Sequence, residues 1–221
     1  MKLETHIHTS EVSSCSLVNA AGAVSRCVRL GYQGMVVTDH FSADSYPRRG
    51  NIPWRKRVEY FLSGYHAAKR AAPEGFVVIL GMELRFAHEN SNDYLVYGMD
   101  EEFLHKHKDF DQLGVRKFGA FARKHDLLFV QAHPFRYGMV VTRPEYLQAV
   151  EIYNGHAGHE ENNTMAEAWC KLHGLIPLSG SDHHGGSSGD GVKPGGIVLS
   201  SPVKDGTELV RAIRAGEYEL L

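Results

Sequence analysis

The chain has 221 residues, of which 43% are hydrophobic and 23% charged, and its formal net charge is −2. This is enough for one α/β domain with a sizeable core, and the near-neutral charge argues against a general nucleic-acid-binding protein, because such domains are usually markedly basic. Three cysteines without a C-x-x-C spacing argue against a disulfide framework and predict a reducing cytoplasm, and neither a signal peptide nor an apolar run of membrane-spanning length is visible.

Short apolar runs alternate with longer amphipathic stretches, which is typical of a parallel sheet with helical crossovers. The predicted strands are Lys2–His8, Gly34–His40, Phe76–Phe86, Tyr94–Met99, Leu127–His133, Val150–Tyr153, Leu175–Ser179 and Ile197–Ser201. The predicted helices are Leu17–Leu30, Trp54–Ala72, Asp111–His125, Glu160–His173 and Thr207–Ala215. No helix precedes the strand at 94–99, so we expect it to pair antiparallel or to follow a tight connection. No repeat or linker divides residues 1–221, which predicts a single domain.

The first strand contains two histidines, His6 and His8, separated by Ile7. Side chains two apart on a strand share a face, so both imidazoles point the same way and Ile7 points the other way. Taken alone, this pair is either a metal chelate or a pair of polar residues at the rim of a sheet.

Further polar residues end the later strands: Asp39 and His40, Glu83, His133, Glu151 and Asn154, and Asp182, His183 and His184. Each has an ordinary alternative, such as a helix N-cap, a solvated strand end, a turn or a flexible polar loop. In α/β barrels, however, the active site is built from the carboxyl ends of many strands. The joint pattern therefore favours one site.

Imidazoles and carboxylates without paired thiolates suit zinc, manganese or iron and disfavour a closed structural zinc site. Several carboxylates among many histidines favour more than one ion, because a carboxylate can bridge two metals. Such a cluster can generate hydroxide near neutral pH and stabilise the leaving oxygen of an in-line displacement. The donor types thus indicate phosphoester hydrolysis.

The chain resembles the PHP (polymerase and histidinol phosphatase) domain family, whose motifs occur here in family order. These are H-x-H at His6 and His8, T-D-H at Thr38–His40, G-x-E at Gly81–Glu83, A-H-P at Ala132–Pro134 and S-D-x-H at Ser181–His184. The resemblance implies a distorted (β/α)7 TIM-like barrel with two or three divalent ions. It implies one ion at His6, His8, Glu83 and Asp182, a second at Glu83 and His133, and a third at His40 and His184.

Three positions depart from the family pattern. Glu4 stands where the family often has Asp, which suits a residue that supports a ligand. The loop after H-x-H offers Glu11 or Cys15 as a ligand, and we favour Glu11. The family's histidine after G-x-E has no clear counterpart: Asp100 lies near the expected place, with His88 and Asp93 as alternatives.

Arginines near the predicted site are candidates for binding a small phosphorylated substrate. Arg48 and Arg49 lie in the loop after the second strand, and Arg136 follows His133. Asn154, with His156, would orient a leaving group or a water, unless the segment is a plain turn.

The sequence hypothesis is a metal-dependent hydrolase that cleaves a phosphate ester by metal-bound hydroxide, with Glu83, Asp182 and His184 as catalytic residues. One alternative is an amidohydrolase-type enzyme acting on a C–N bond. Another is a non-catalytic domain that binds metal or nucleic acid.

Overall fold

The computed structural model describes residues 1–42, 45, 52–156, 158–185 and 193–221. Its strands are β1 Lys2–Ile7, β2 Gly34–Val37, β3 His40–Phe41, β4 Val77–Leu84, β5 Tyr94–Tyr97, β6 Leu128–Gln131, β7 Ala149–Asn154, β8 Ile176–Gly180, β9 Ile197–Leu199 and β10 Tyr218–Leu220. Its α-helices are α1 Ala20–Arg29, α2 Trp54–Ala71, α3 Glu101–Lys106, α4 Val115–Lys124, α5 Asn163–His173 and α6 Gly206–Arg214.

The sheet is barrel-shaped and nearly closed, which confirms the predicted fold class. β1, β2 and β4 are parallel neighbours, as are β6, β7 and β8. β5 pairs antiparallel with both β4 and β6, as the absence of a predicted helix before it indicated. The barrel closes where the chain after β8 meets β1. Asp182 N donates to His6 O over 2.8 Å, and His8 N donates to His183 O over 3.2 Å. With β2 and β3 counted as one interrupted strand, the barrel has seven positions; β9 and β10 extend antiparallel from β1.

Several elements differ from the sequence prediction. The second strand is interrupted at Thr38 and Asp39, because the Asp39 carboxylate turns to accept hydrogen bonds from Thr9 N and Oγ1. The helix predicted from residue 111 begins at Val115. Gly114 has a positive φ of 72° and separates the helix from the 3-10 turn Phe110–Gln112 that precedes it. α3 and β10 were not predicted at all.

The core lies on both sides of the sheet. Val36 packs with apolar residues of α6, whereas its neighbours Met35 and Val37 pack with α1. Because side chains alternate along a strand, α6 and α1 cover opposite faces of the sheet. The face toward α6 is the interior of the barrel, since apolar residues of β1, β4, β5, β6, β7 and β8 join Val36 there. An irregularity in β1 between Glu4 and Ile7 leaves Ile7 on the α1 side, as expected from its position between the histidines.

No helix among the described residues combines the length and apolar character needed to cross a membrane.

Candidate metal centre

The centre of the site is the Glu83 carboxylate at the end of β4. Its Oε1 lies 3.1 Å from His133 Nε2 and 3.4 Å from His6 Nε2. Its Oε2 lies 2.9 Å from His40 Nδ1 and 3.2 Å from His8 Nε2. The side chain is 1% exposed. One carboxylate thus faces a different pair of imidazoles with each oxygen.

Asp182 and His184 complete the cluster from the chain that follows β8. Asp182 Oδ1 lies 3.3 Å from His6 Nε2 and 3.2 Å from His8 Nε2, and His184 Nδ1 lies 3.3 Å from the same oxygen. The His184 ring stacks on His8 with centroids 4.2 Å apart. Asp182 has a left-handed φ of 51°, which its buried backbone bond to His6 O holds in place. All seven side chains at the ends of the predicted strands that were expected as ligands, His6, His8, His40, Glu83, His133, Asp182 and His184, are therefore brought together.

Hydrogen bonds on the far side of the rings orient His6 and His8. His6 Nδ1 lies 2.8 Å from Glu151 Oε1, so this nitrogen carries the proton and donates it. The Ser13 hydroxyl donates to Asp39 Oδ1 over 2.7 Å and can therefore accept from His8 Nδ1, which lies 3.2 Å away. In neutral rings this network leaves both Nε2 atoms unprotonated, and they face each other at 3.1 Å.

This arrangement fits a divalent cation. The two Nε2 lone pairs meet the carboxylate oxygens of Glu83 and Asp182, and Asp182 Oδ1 is buried without a hydrogen-bond donor. Acceptors that converge in a buried space need a positive charge between them. Three groups of donor atoms could hold an ion: His6, His8 and Glu83; His8, His40 and His184; and His40, Glu83 and Asp93.

The pKa shifts show the same demand for positive charge. Burial would raise the pKa of Glu83, but the imidazoles of His40 and His6 outweigh it and hold that pKa well below its usual range. Burial would lower the pKa of His6, but the charges of Asp182, Glu151 and Glu83 raise it well above its usual value. In the metal-free protein a proton on His6 therefore replaces part of the charge that a cation would supply.

Glu11 does not belong to this cluster, which corrects the expectation that it is the loop ligand. Both of its carboxylate oxygens accept from Ala20 N, at 3.1 and 3.0 Å, at the start of α1. A carboxylate is stabilised there by the unpaired N–H groups of the helix terminus. The other candidate in that loop, Cys15, lines the cavity above the cluster.

Of the three residues considered for the position after G-x-E, Asp93 is the one that lies at the cluster. Asp100 instead caps α3, accepting from Phe103 N over 2.7 Å, and His88 is exposed. Asp93 is buried beside His40 and Glu83, and Arg85 binds both of its oxygens at 2.8 and 2.7 Å. Because β5 runs antiparallel, the residue before the strand, and not the one after it, lies at the site.

Arg136 contacts Asp182, one of the predicted metal ligands, although the sequence suggested a contact with substrate phosphate. Its Nη2 donates to Asp182 Oδ2 over 2.6 Å, and its Nε binds Glu161 at 3.0 and 2.9 Å. Asn154 Nδ2 donates to Glu151 Oε2 over 2.9 Å and to Asp182 Oδ2 over 3.2 Å. Arg136 and Asn154, two of the four predicted substrate-binding residues, thus hold the carboxylates in place, and this edge of the guanidinium is not available to substrate.

Several supporting residues were not assigned a role from the sequence, and Glu161 was not considered at all. Glu161 falls within the predicted helix Glu160–His173, but the helix begins at Asn163, and Glu161 lies in the irregular segment before it. Glu4, expected to support a ligand, accepts from Thr5 N, His6 N and Ser181 N and so ties β1 to the chain after β8. Arg48 and Arg49, the other predicted phosphate contacts, lie outside the described residues.

The cluster opens into a cavity of about 500 Å³. Its floor is formed by the ligand side chains, and its rim includes Tyr137, Met139, His156 and His159. Gly158 N donates to His156 Nδ1 over 2.9 Å, so a neutral His156 carries its proton on Nε2. The cavity is large enough for a small organic molecule.

No family model matches the chain, and no curated protein matches it. Among solved structures, the chain is similar to a two-domain protein from Bacteroides vulgatus described as containing a predicted PHP-like metal-dependent phosphoesterase. The two share 15% identity at a TM-score of 0.63, over 100% of this chain and 64% of that one, so this chain spans less than two thirds of its length. It is similar to PsfC from Pseudomonas syringae, with 16% identity, a TM-score of 0.68 and coverage of 99% and 90%.

A third similar structure is an amidohydrolase from Chromobacterium violaceum, solved with bound sulfate and no metal. It has 15% identity, a TM-score of 0.52 and coverage of 100% and 98%. At these identities the likeness concerns architecture. The chain has the barrel fold of PHP-like and amidohydrolase-type proteins.

Proposed function

We propose that this protein is a metal-dependent hydrolase that cleaves an ester of phosphoric acid in a small substrate. The observation that carries the proposal is the convergence of four imidazole rings on the buried Glu83 carboxylate, at the base of an open cavity. Similarity in fold to a predicted PHP-like metal-dependent phosphoesterase supports it.

Zinc, manganese or iron suits this mixture of nitrogen and oxygen donors, and two or three such ions would lower the pKa of water and neutralise phosphoryl oxygens. Glu83 and Asp182 would hold the ions. Glu83 can serve two at once, because its oxygens face different imidazoles. Glu151 and the Ser13–Asp39 pair keep the His6 and His8 nitrogens aimed at the cluster.

Two histidines that line the cavity, His184 and His156, would face the substrate. His184 lies beside Asp182 at the open side of the cluster, with burial and the nearby His8 lowering its pKa to about 3, so its ring is neutral. His156 would donate from Nε2 to a phosphoryl or leaving-group oxygen, since its Nδ1 already accepts from Gly158 N. The deep position of His6, His8 and Glu83 excludes bulk water from the ligand side.

The similar structures include a predicted phosphoesterase and a protein named an amidohydrolase, so the likeness in fold does not separate the two reactions. The preference for a phosphate ester rests on the donor atoms: three groups of them could hold an ion, and two or more ions can stabilise both the attacking and the leaving oxygen of an in-line displacement.

The test has two stages. Metal content of the purified protein is measured first, and turnover of a panel of phosphomonoesters, nucleotides and oligonucleotide ends is then assayed with Zn, Mn and Fe. Glu83→Gln should retain the fold by circular dichroism and lose metal-dependent turnover. The control is Glu145→Gln, which replaces an exposed carboxylate paired with Arg143 and should retain the turnover of wild type.

Activity of Glu83→Gln equal to wild type would contradict the role of Glu83. Turnover of amides but of no phosphate ester would place the reaction in the C–N hydrolase class. Bound metal with no turnover of either class would favour a binding domain.

A further inference from the structure

Tyr137 is almost fully exposed although it lines the cavity above the metal centre. It is 97% exposed, and Met139 lines the same part of the cavity. Single exposed aromatic residues are common on protein surfaces, so exposure alone does not indicate a role. A tyrosine whose backbone is held rigidly at the mouth of a cavity is different, because its ring is presented at a fixed place.

The backbone of Tyr137 is fixed relative to the metal centre by a turn. Met139 N donates to Arg136 O over 3.0 Å, and Gly138 has a positive φ of 87°, as the third residue of a type II turn requires. Tyr137 therefore occupies the outer corner of the turn. Arg136, the first residue of the turn, is bound through its guanidinium to Asp182. The turn that carries the exposed ring is thus attached directly to the metal centre.

The far end of the same loop is held by Asn92, which lies before β5. The buried side-chain amide of Asn92 binds both backbone groups of Val140: Val140 N donates to Asn92 Oδ1 over 2.8 Å, and Asn92 Nδ2 donates to Val140 O. Ser91 Oγ also donates to Gly138 O over 3.2 Å. The loop is ordered by these bonds before any substrate arrives, so binding to it costs little conformational entropy.

Imidazole rings extend from the metal centre along the wall of the cavity. The His184 ring stacks on His8 with centroids 4.2 Å apart and lies edge to face with His156 at 5.5 Å. The His159 ring lies 4.9 Å from that of His156. The cavity therefore has a wall of rings that runs from its charged floor to its rim, where Tyr137 also lies.

We infer that this rim binds the organic part of the substrate, and that the substrate is a phosphate ester whose alcohol carries a planar aromatic group that stacks on Tyr137. The inference rests on the proposed function and deepens it by naming the substrate class. A planar ring covers an exposed ring face over its whole area, and stacking adds to the gain from apolar burial. A saturated ring of the same size contacts that face with fewer atoms, so the rim should select for planarity.

The first experiment measures the binding of three phosphonates, which cannot be hydrolysed, to the zinc-loaded protein by isothermal titration. Benzylphosphonate and cyclohexylmethylphosphonate have the same charge and nearly the same bulk but differ in planarity, and methylphosphonate has no ring. Wild type should bind benzylphosphonate at least about fivefold more tightly than either of the others, as expected for one stacked ring.

Variants of the loop assign this preference to the tyrosine ring. Tyr137→Leu should lose the preference for benzylphosphonate without a change in its affinity for methylphosphonate, and Tyr137→Phe should keep the preference. The control is Val140→Ala, which shortens another exposed apolar side chain of the same loop and should bind all three phosphonates like wild type. Equal affinity of wild type and Tyr137→Leu for benzylphosphonate would overturn the inference.

The second experiment compares the hydrolysis of benzyl phosphate with that of cyclohexylmethyl phosphate. The two leaving alcohols have similar acidity, so a difference in kcat/KM reports how the organic part is bound and not how easily the bond breaks. Tyr137→Leu should lower kcat/KM for benzyl phosphate at least about fivefold and leave that for cyclohexylmethyl phosphate nearly unchanged.

Binding and turnover together separate this inference from the proposed function. Hydrolysis of both esters with the same kcat/KM by wild type and Tyr137→Leu would overturn the role of Tyr137 and leave the phosphatase reaction standing. Tighter binding of benzylphosphonate by wild type than by Tyr137→Leu, without hydrolysis of any ester, would support the role of Tyr137 and contradict the proposed function. Failure of the zinc-loaded protein to bind any of the phosphonates would overturn both.

Discussion

Arg136 donates from Nη2 to Asp182 Oδ2 over 2.6 Å, and this contact decides which oxygen of Asp182 faces the metal centre. With Oδ2 occupied by Arg136 and by Asn154 Nδ2, the other oxygen, Oδ1, points at His6 and His8. Glu161 holds the guanidinium in position through Nε. The charges of Asp182 and Glu161 outweigh the effect of burial and raise the pKa of Arg136, so it stays positive throughout the accessible pH range.

Replacing Arg136 by Lys should weaken metal binding without unfolding the protein. A lysine ammonium cannot reproduce the two-sided contact of the guanidinium with Asp182 and Glu161. Loss of such a supporting contact typically costs about 10–100-fold in metal affinity. The affinity is measured by competition with a chromogenic zinc chelator, with Arg143→Lys as the control at an exposed arginine. Unchanged affinity in Arg136→Lys would show that Asp182 is held by other contacts.

Glu151→Gln should lower metal affinity by a similar factor, about 10–100-fold, through the orientation of His6. The carboxylate now accepts hydrogen bonds from His133 N at 3.0 Å and Asn154 Nδ2 at 2.9 Å on one oxygen, and from His6 Nδ1 on the other. In the glutamine variant, the NH₂ group would face one of these sets of donors and could not accept from it. Isothermal titration with zinc checks the affinity. Nitrogen-15 spectra of the histidine rings check the mechanism, since the His6 tautomer population should change; an unchanged His6 tautomer would contradict it.

The metal-free protein should be most stable near the usual histidine pKa and lose stability on both sides. The pKa values of Glu83 and Asp182 are depressed in the fold, so the stability they contribute is complete above the ordinary carboxyl range and is lost as pH falls through the lowered values. The pKa of His6 is raised, so its contribution is complete below about 6.5 and is lost as pH rises through the raised value.

Urea unfolding at a series of pH values measures this profile. Glu83→Gln should flatten both limbs, because it removes one depressed carboxyl and one of the charges that raise the pKa of His6. Saturating zinc should remove the loss at high pH, since the ion replaces the imidazole proton. A metal-free protein whose free energy of unfolding keeps rising above pH 7 would contradict the assignment.

Glu11→Ala should affect the helix and not the metal centre. Its carboxylate binds Ala20 N at the start of α1, so its removal should lower the free energy of unfolding by about 0.3–1 kcal/mol. The number of zinc equivalents bound should equal that of wild type. Chemical denaturation and metal analysis of the same preparation test both statements, and a lost equivalent of zinc would restore Glu11 as a ligand.

The sequence alone predicted the barrel and most of the residues that the fold brings together in the candidate metal centre. His6 and His8 share a face because strand side chains have a period of two, and Glu83, His133 and Asp182 follow apolar runs whose carboxyl ends meet at one edge of a parallel sheet. These inferences need only the local pattern and the direction of the strands. The missing helix before Tyr94 likewise indicated that β5 reverses direction.

The tertiary structure decided the residues that lie in loops or act through a neighbour. Asp93 replaces Asp100 at the site because the reversed β5 presents its start, and Glu11 is drawn to the N-terminus of α1, whereas Cys15 faces the cavity. Arg136 binds Asp182 and Glu161 instead of being free for substrate. Loop side chains follow no period, so their direction depends on charges and hydrogen-bond donors that only the folded chain brings within reach.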